Sequence, residues 1–304
     1  MENKPKIAVI MSTYNGEKYL KVQIDSILAQ KDVDVSLYIF DDCSKDNTVS
    51  IAKEYEQKFN NVHIQVNEKN KNFTYNFLDA LFSFKDNQEY DYYAFADQDD
   101  YWLEDKLITG IKQIEQKGKC TLYCSNLKVV DGNLNYSGIN MFKTNFKIKR
   151  HDELCGNLVT GCTIIMDKEF KNLATKHYPE NIYCHDYWLG ILANYCKDAN
   201  FIRDNCPDHI LYRQHGNNQV GANKNSFFKK VYILVFKKFD KTKSVANLMS
   251  NFNNLYADQI RDNDKKVFKI LANTHKLKNR LWLFFNIKTT FWRSFKTKII
   301  FNRY

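Results

Sequence analysis

Tyr92-Tyr-Ala-Phe-Ala-Asp-Gln-Asp-Asp-Tyr-Trp102 sets a short apolar and aromatic run directly against three carboxylates. Tyr92 to Ala96 is too brief for a helix and lies between polar segments, so it reads as a buried strand. Beyond it, Leu103, Leu107, Ile111 and Ile114 recur at three- and four-residue steps, the spacing of one helix face. Asp97, Asp99 and Asp100 stand between the two elements. Carboxylates this close repel, and at a strand end they are partly desolvated, so a positive group is expected among them. A hard divalent cation, Mg²⁺ or Mn²⁺, suits oxygen ligands and is commonly held by one or two carboxylates together with a substrate's phosphates. The plainer alternative is an acidic turn in which Asp100 caps the next helix.

Upstream, Lys6 to Ser12 is apolar enough for a central strand of a parallel sheet, and Thr13-Tyr-Asn-Gly16 turns into a helix over Glu17 to Gln30. A second strand, Ser36 to Phe40, ends at Asp41-Asp42-Cys43-Ser44, and Asp46 or Asn47 caps a helix to about Phe59. Val62 to Val66 is a third strand and Asn72 to Phe84 a third helix. Strands and helices thus alternate with short loops, which predicts an α/β fold with a doubly wound, mostly parallel sheet. Ligands of such sheets bind beyond the carboxyl ends of the strands. Ser12 to Asn15, Asp41-Asp42 and Asp97 to Asp100 all fall at such ends. Neither Gly-x-Gly-x-x-Gly nor Gly-x-x-x-x-Gly-Lys-Ser/Thr is present, which leaves a cation as the clamp for phosphates.

Downstream, Cys120 to Ser125 is a fifth strand, Asp131-Gly132 signals a hairpin, and the chain to about Arg150 reads as irregular. Leu158 to Met166 is expected as a strand in which Gly161 permits close backbone approach, followed by a helix over Asp167 to Lys176. His185-Asp-Tyr-Trp188 opens another helix, and Phe201-Ile202 and His209 to Tyr212 are late strands.

At 304 residues and 44% apolar content the chain holds one large domain, or one domain with an extension. The eight cysteines form no Cys-x-x-Cys pair, which fits a reducing cytosol better than a disulfide framework. The N-terminal residues run straight into a strand, so no signal peptide is expected, and no apolar run is long enough to span a bilayer. The net charge of +10 is unevenly placed: residues 227–304 carry 18 Lys or Arg against 4 Asp or Glu, and residues 1–226 carry 27 against 31. Nucleic-acid binding by the whole chain loses most of its support.

In this order the segments resemble an inverting family-2 glycosyltransferase of the GT-A fold, over roughly residues 5 to 221. The resemblance is carried by Val9-Ile-Met-Ser-Thr-Tyr-Asn-Gly16, Phe40-Asp-Asp-Cys-Ser-Lys-Asp46, Ala96-Asp-Gln-Asp-Asp-Tyr-Trp102, His185-Asp-Tyr-Trp188 and Tyr212-Arg-Gln-His-Gly-Asn-Asn218. The Asp-Gln-Asp-Asp-x-Trp and Arg-x-His-Gly-Asn-Asn forms look most like bacterial rhamnosyltransferases of surface-polysaccharide synthesis. Cys43 departs from the pattern, which usually has Gly or another small residue there. The Gln-x-x-Arg-Trp of processive synthases is absent, which argues for adding single sugars.

The resemblance implies roles. Asp42 would accept a hydrogen bond from the pyrimidine N3–H of a nucleotide, with Ser12 and Tyr14 lining the base pocket and Asp41 either sharing that role or structural. Asp99 would ligate Mg²⁺ or Mn²⁺ directly, with Asp97 nearer the ribose and Asp100 and Trp102 shaping the loop. Asp186 would take the proton of the acceptor hydroxyl, as inverting transfer requires; an N-cap for its helix is the alternative. His215 is a further metal ligand or diphosphate contact, Arg213 a diphosphate partner or a structural ion pair, and His185 either packs or touches acceptor. The implied donor is a dTDP- or UDP-linked sugar, L-rhamnose first, and the acceptor a glycan or lipid-linked glycan.

The division expected is a catalytic domain over 1–226 and a basic, aromatic-rich helical extension over 227–304. Phe227 to Lys238 and Leu281 to Phe301 would form basic amphipathic helices suited to an anionic inner-leaflet surface. Packing on the catalytic domain or a sister subunit is the alternative. The chain is therefore expected in the cytoplasm, peripheral on the inner membrane face. Two competing functions are a sugar nucleotidyltransferase, for which the Gly-rich loop after strand one is lacking, and a non-catalytic binding protein driven by the tail.

Overall fold

The computed structural model describes residues 4–145, 149, 151–182, 184–215, 245–271, 273–274, 276–290, 296 and 299. In the first half the chain runs β1 (Lys6–Thr13), α1 (Leu20–Leu28), β2 (Asp34–Asp41), α2 (Thr48–Lys58), β3 (Val62–Val66), α3 (Asn72–Ser83) and β4 (Tyr92–Ala96). It continues through β5 (Tyr101–Trp102), α4 (Lys106–Lys117), β6 (Thr121–Ser125), β7 (Lys128–Val130) and β8 (Tyr136–Asn140). Then come β9 (Ile165–Asp167), α5 (Lys168–Ala174), α6 (His185–Tyr195), β10 (Asn200–Asp204) and β11 (Ile210–Arg213). Among the described residues of the tail follow α7 (Val245–Leu255), α8 (Asp262–Leu271) and α9 (Leu277–Asn286).

β1 shows why the sheet lies in the middle of the molecule. Ile7, Val9 and Met11 point to one side and pack with Leu20, Ile24 and Ile27 of α1 and Leu107, Ile111 and Ile114 of α4. Ala8 and Ile10 point to the other and join Phe77 and Leu81 of α3 and Trp188 of α6. Alternating side chains that are apolar on both faces demand helices on both faces. The sheet order is β10-β6-β9-β4-β1-β2-β3. β9 alone runs antiparallel to its neighbours, β4 and β6, so the sheet is mostly parallel and the expected fold class holds. A second sheet has the order β5-β11-β7-β8, and its Trp102, Val129, Ile210 and Tyr212 join the core on the α1 and α4 side.

Several boundaries differ from the sequence reading. The strand expected over Leu158 to Met166 is confined to Ile165–Asp167, because residues 161–163 form a short 3₁₀ turn whose backbone serves the site instead. The helix expected from Glu17 begins at Leu20, since the amides of Asn15, Gly16 and Glu17 bond to Ser44, Thr48 and Asp46. Asp100 does not cap the next helix: it is buried and accepts from the backbone amide of Arg213. The Asp131-Gly132 hairpin exists but with a longer loop, in which the Asp131 carboxylate accepts from the amides of Asn133 and Asn135. The chain after it is not wholly irregular, because β8 pairs with β7.

Among the described tail residues, Leu248, Met249 and Phe252 of α7 and Phe268 and Leu271 of α8 enter the core shared with α6. The Tyr195 and Phe268 rings meet edge to face at 4.8 Å. α9 contributes Leu283 to that core and keeps Leu277, Leu281 and Phe285 exposed. Phe227 to Lys238, expected as a basic helix, lies outside the described residues, as do Gly216 to Asn218 and most of 291–301. No helix among the described residues is long and apolar enough to cross a membrane.

Candidate active site

β4, β1 and β2 are adjacent and parallel, so the polar residues after each of them leave the sheet at one edge. Asp41 is consumed in holding that edge: its oxygens accept from the hydroxyls of Thr13 (2.9 Å) and Ser44 (2.5 Å) and from the Ser44 amide (2.8 Å). Asp42 reaches the other way. Its Oδ1 accepts from the Lys71 amide at the start of α3 (2.7 Å) and from Asn67 Nδ2 (3.0 Å). Asn67 continues to Asn76 (2.8 Å), and Asn76 Nδ2 donates to Ser12 Oγ (2.7 Å), so Ser12 and Asp42 sit at two ends of one amide chain. Cys43 adopts φ 67°, a left-handed conformation that favours glycine and explains why a small residue is usual there.

Tyr14 is 44% exposed at the rim, yet its backbone is fixed. Gln98 Oε1 accepts from the Tyr14 amide (2.8 Å) while Gln98 Nε2 donates to the Tyr14 carbonyl (3.0 Å). A Cβ on Gly16 would stand 2.1 Å from Gln98 Oε1, so glycine is required for this amide to enter. The middle residue of Asp-Gln-Asp therefore joins the first loop to the fourth strand, a role that residue spacing did not disclose.

The acids gather behind it. Asp99 Oδ2 and His215 Nε2 lie 2.8 Å apart. Arg213 is buried, with Nε donating to the Asp99 carbonyl (2.8 Å), Nη1 to the Gly132 carbonyl (2.6 Å), and its guanidinium 4.4 Å over the Tyr19 ring. The Tyr19 ring also meets the His215 ring in a tilted contact, centroids 4.9 Å apart, so one aromatic ring touches both basic groups. Ligand atoms of Asp97, Asp100 and Cys162 lie within 4.8 Å of one another, with the Cys162 thiol set against both carboxylates. Lys106 lies behind them, 3.5 Å over the Trp102 ring, where burial lowers its pKa to about 7.

Burial, with Asp99 and then Asp186 adding their charge, pushes Asp97 up to about 7. Asp99 is also raised by burial, against the opposing pull of His215, and Asp100 well above the ordinary carboxylate range by burial and its two acidic neighbours. Such a set fits a hard divalent cation. The described residues would hold one through Asp99, with the His215 imidazole 2.8 Å away as a nitrogen donor, while Asp97 and Asp100 lie together with Cys162 beside it.

Asp186 lies in the first turn of α6, nearly buried. Oδ1 accepts from the Tyr187 amide (2.7 Å), Asn157 Nδ2 (2.9 Å) and Cys184 Sγ (2.7 Å). Oδ2 accepts from the Gly161 amide (3.1 Å). Gly161 precedes Cys162, which links the Asp186 carboxylate to the Asp97 cluster. The close approach expected of Gly161 is thus real, and its target is this carboxylate; a Cβ there would also meet His185 Nε2 at 3.0 Å. His185 packs: its ring stacks on Phe77 at 4.3 Å, and burial depresses its pKa to about 4, so it is neutral.

A carboxyl whose pKa is raised by folding stabilises the fold below its unfolded value and loses that contribution as pH rises through the folded value. For Asp97 the window runs from 3.8 to about 7. Cation-free protein should therefore lose stability across this window, and Asp97→Asn should flatten the loss and raise the melting temperature near neutral pH while removing activity. Thermal denaturation in a chelator across pH checks this; an unchanged slope in the variant would refute the assigned burial cost.

A protein-family model described as Glycosyl transferase family 2 matches residues 8–191. The chain is 34% identical over 226 residues to the dTDP-rhamnosyl transferase RfbG of Shigella flexneri, covering 70% of this chain and 74% of that one. It is 28% identical over 227 residues to the UDP-Glc:alpha-D-GlcNAc-diphosphoundecaprenol beta-1,3-glucosyltransferase WfgD of Escherichia coli, covering 72% and 80%. Among solved structures, S. aureus TarS in complex with UDP-GlcNAc matches with TM-score 0.57 at 16% identity, covering 97% of this chain and 89% of that one, a likeness of fold.

Proposed function

Because the chain belongs to glycosyl transferase family 2, we propose that it moves single L-rhamnosyl units from a dTDP-linked donor, with inversion, onto a growing lipid-linked surface polysaccharide. The supporting observation is the Asp186 carboxylate, held by four donors beside the acid cluster at the sheet edge. In this reading the acceptor hydroxyl gives its proton to Asp186 as its oxygen attacks the anomeric carbon from the face opposite the diphosphate. Asp42 accepts from the base N3–H, Ser12 and Tyr14 line the base, Asp97 faces the ribose, and Arg213 adds positive field near the diphosphate. Mg²⁺ or Mn²⁺, bound by Asp99 and His215, would supply charge neutralisation for the departing nucleoside diphosphate. The basic segment 227–304 carries the chain to an anionic surface at the cytoplasmic face of the membrane.

The RfbG likeness favours rhamnose; the WfgD likeness favours a second reading, a UDP-linked hexose donor. Incubation with dTDP-rhamnose or UDP-glucose, Mn²⁺ and a lipid-linked acceptor separates them, with nucleotide release and the product's anomeric configuration as readouts. Release of dTDP with an inverted product is expected. Release of UDP alone would move the assignment to the second reading, and retention of configuration would end both.

A further inference from the structure

Among the described residues, the two most exposed large apolar side chains, Phe285 and Leu277, belong to one helix. Leu277, Leu281 and Phe285 of α9 are 61%, 50% and 73% exposed, at four-residue steps that align them on a single face. The opposite face is spent: Leu283 is fully buried, and Ile287 just beyond the helix end is buried in the same core. Among the described residues, the outward stripe is therefore left uncovered by its own domain. Its surroundings are basic: Lys276, Lys278 and Lys288 are exposed around it. Residues 265–304 as a whole contain 11 Lys or Arg and neither Asp nor Glu. An apolar ridge flanked by exposed lysines, in a segment without a carboxylate side chain, matches the boundary of an anionic bilayer, where acyl chains take the ridge and phosphate headgroups the rim. A protein partner would need an acidic collar of the same outline.

The segment leaving α9 is fastened to the acceptor side of the cleft. The Thr290 amide donates to Asp152 Oδ1 (2.6 Å), and Asp152 opens the short 3₁₀ turn Asp152–Cys155. The Tyr187 hydroxyl donates to the carbonyl of Glu153 in that turn, and two residues beyond the turn Asn157 holds Asp186. We infer that Leu277, Leu281 and Phe285 form the membrane-inserting face of the chain, and that docking through it brings the Asp186 side of the cleft to the lipid surface. This rests on the membrane reading above and adds which face docks and which side of the site is presented.

The test uses the full chain with vesicles of phosphatidylcholine alone or with phosphatidylglycerol. Wild type should sediment with the anionic vesicles only. Leu281→Ser with Phe285→Ser should weaken that binding by about a hundredfold, since each fully immersed side chain contributes about tenfold. Both positions are exposed, so the melting temperature should hold; turnover on a water-soluble acceptor should hold too, while KM for a lipid-linked acceptor in vesicles rises. Undiminished vesicle binding by the double variant would overturn the assignment of the face and leave the membrane reading to another part of 227–304. Absence of wild-type binding would overturn both. A self-associating wild type that the substitutions render monomeric, with vesicle binding unchanged, would make the stripe a contact between copies and equally overturn the inference.

Discussion

Asp186→Asn should reduce turnover by between about a hundredfold and about ten-thousandfold, the usual contribution of a positioned general base, while leaving donor binding almost untouched. The substitution is nearly isosteric, and the geometry says what else it changes. Oδ1 already accepts three hydrogen bonds and Oδ2 accepts one, from the Gly161 amide. An asparagine that keeps its oxygen at the Oδ1 position turns an NH₂ toward the Gly161 N–H. Two donors then face each other, at a cost of about 1–3 kcal/mol. A modest fall in melting temperature should accompany the kinetic loss, and the two are separable. If the base were only a helix cap, stability would fall and turnover per folded molecule would not. Thermal stabilisation by dTDP with Mn²⁺ should survive, because the variant alters the acceptor side. Undiminished turnover in folded Asp186→Asn would remove the mechanism proposed here.

Asp99→Asn should show the converse pattern. Its carboxylate faces His215 at 2.8 Å and belongs to a group of acids that burial and mutual repulsion hold above the ordinary carboxylate range. Removing one charge relieves the neighbours, so the cation-free variant should melt at or above the wild-type temperature. Stabilisation by dTDP with Mn²⁺ should disappear; for wild type that gain is about 2.7 kcal/mol at a hundredfold excess over Kd. Activity should fall by at least about a hundredfold, comparable with loss of one preorganised group that stabilises developing charge. Ligand stabilisation equal to wild type in Asp99→Asn would mean that the diphosphate is held elsewhere. Across the pair of variants, the nucleotide effect is lost in one and kept in the other, which separates donor chemistry from acceptor chemistry.

The parallel half of the fold was readable because its strands are buried on both faces and their sequences are continuously apolar, as Ile7 to Met11 and Tyr93 to Ala96 are. The clusters at Asp41-Asp42 and Asp97 to Asp100 followed from the strands themselves, since a parallel arrangement sends every carboxyl end to one edge. Where local pattern stopped governing, reading failed. Leu158 to Ile164 is apolar enough for a strand, yet its backbone turns to present the Gly161 amide to Asp186. β8 is almost wholly exposed and shows no apolar alternation, and β5 has two residues. Gln98 and Asn157 act on partners 84 and 29 residues away, and an isolated amide side chain carries no periodicity that would announce such work. Tyr19 reads as one more aromatic beside a helix; only its placement between Arg213 and His215 reveals it as a support.

The two-way grip of Gln98 on Tyr14 has a kinetic meaning. Through that amide, the rim that would face the nucleobase and the acids that would face the diphosphate shift together or not at all. Contacts made far from the anomeric carbon can then align the reacting end, so a donor stripped of its nucleobase would sacrifice speed as well as occupancy.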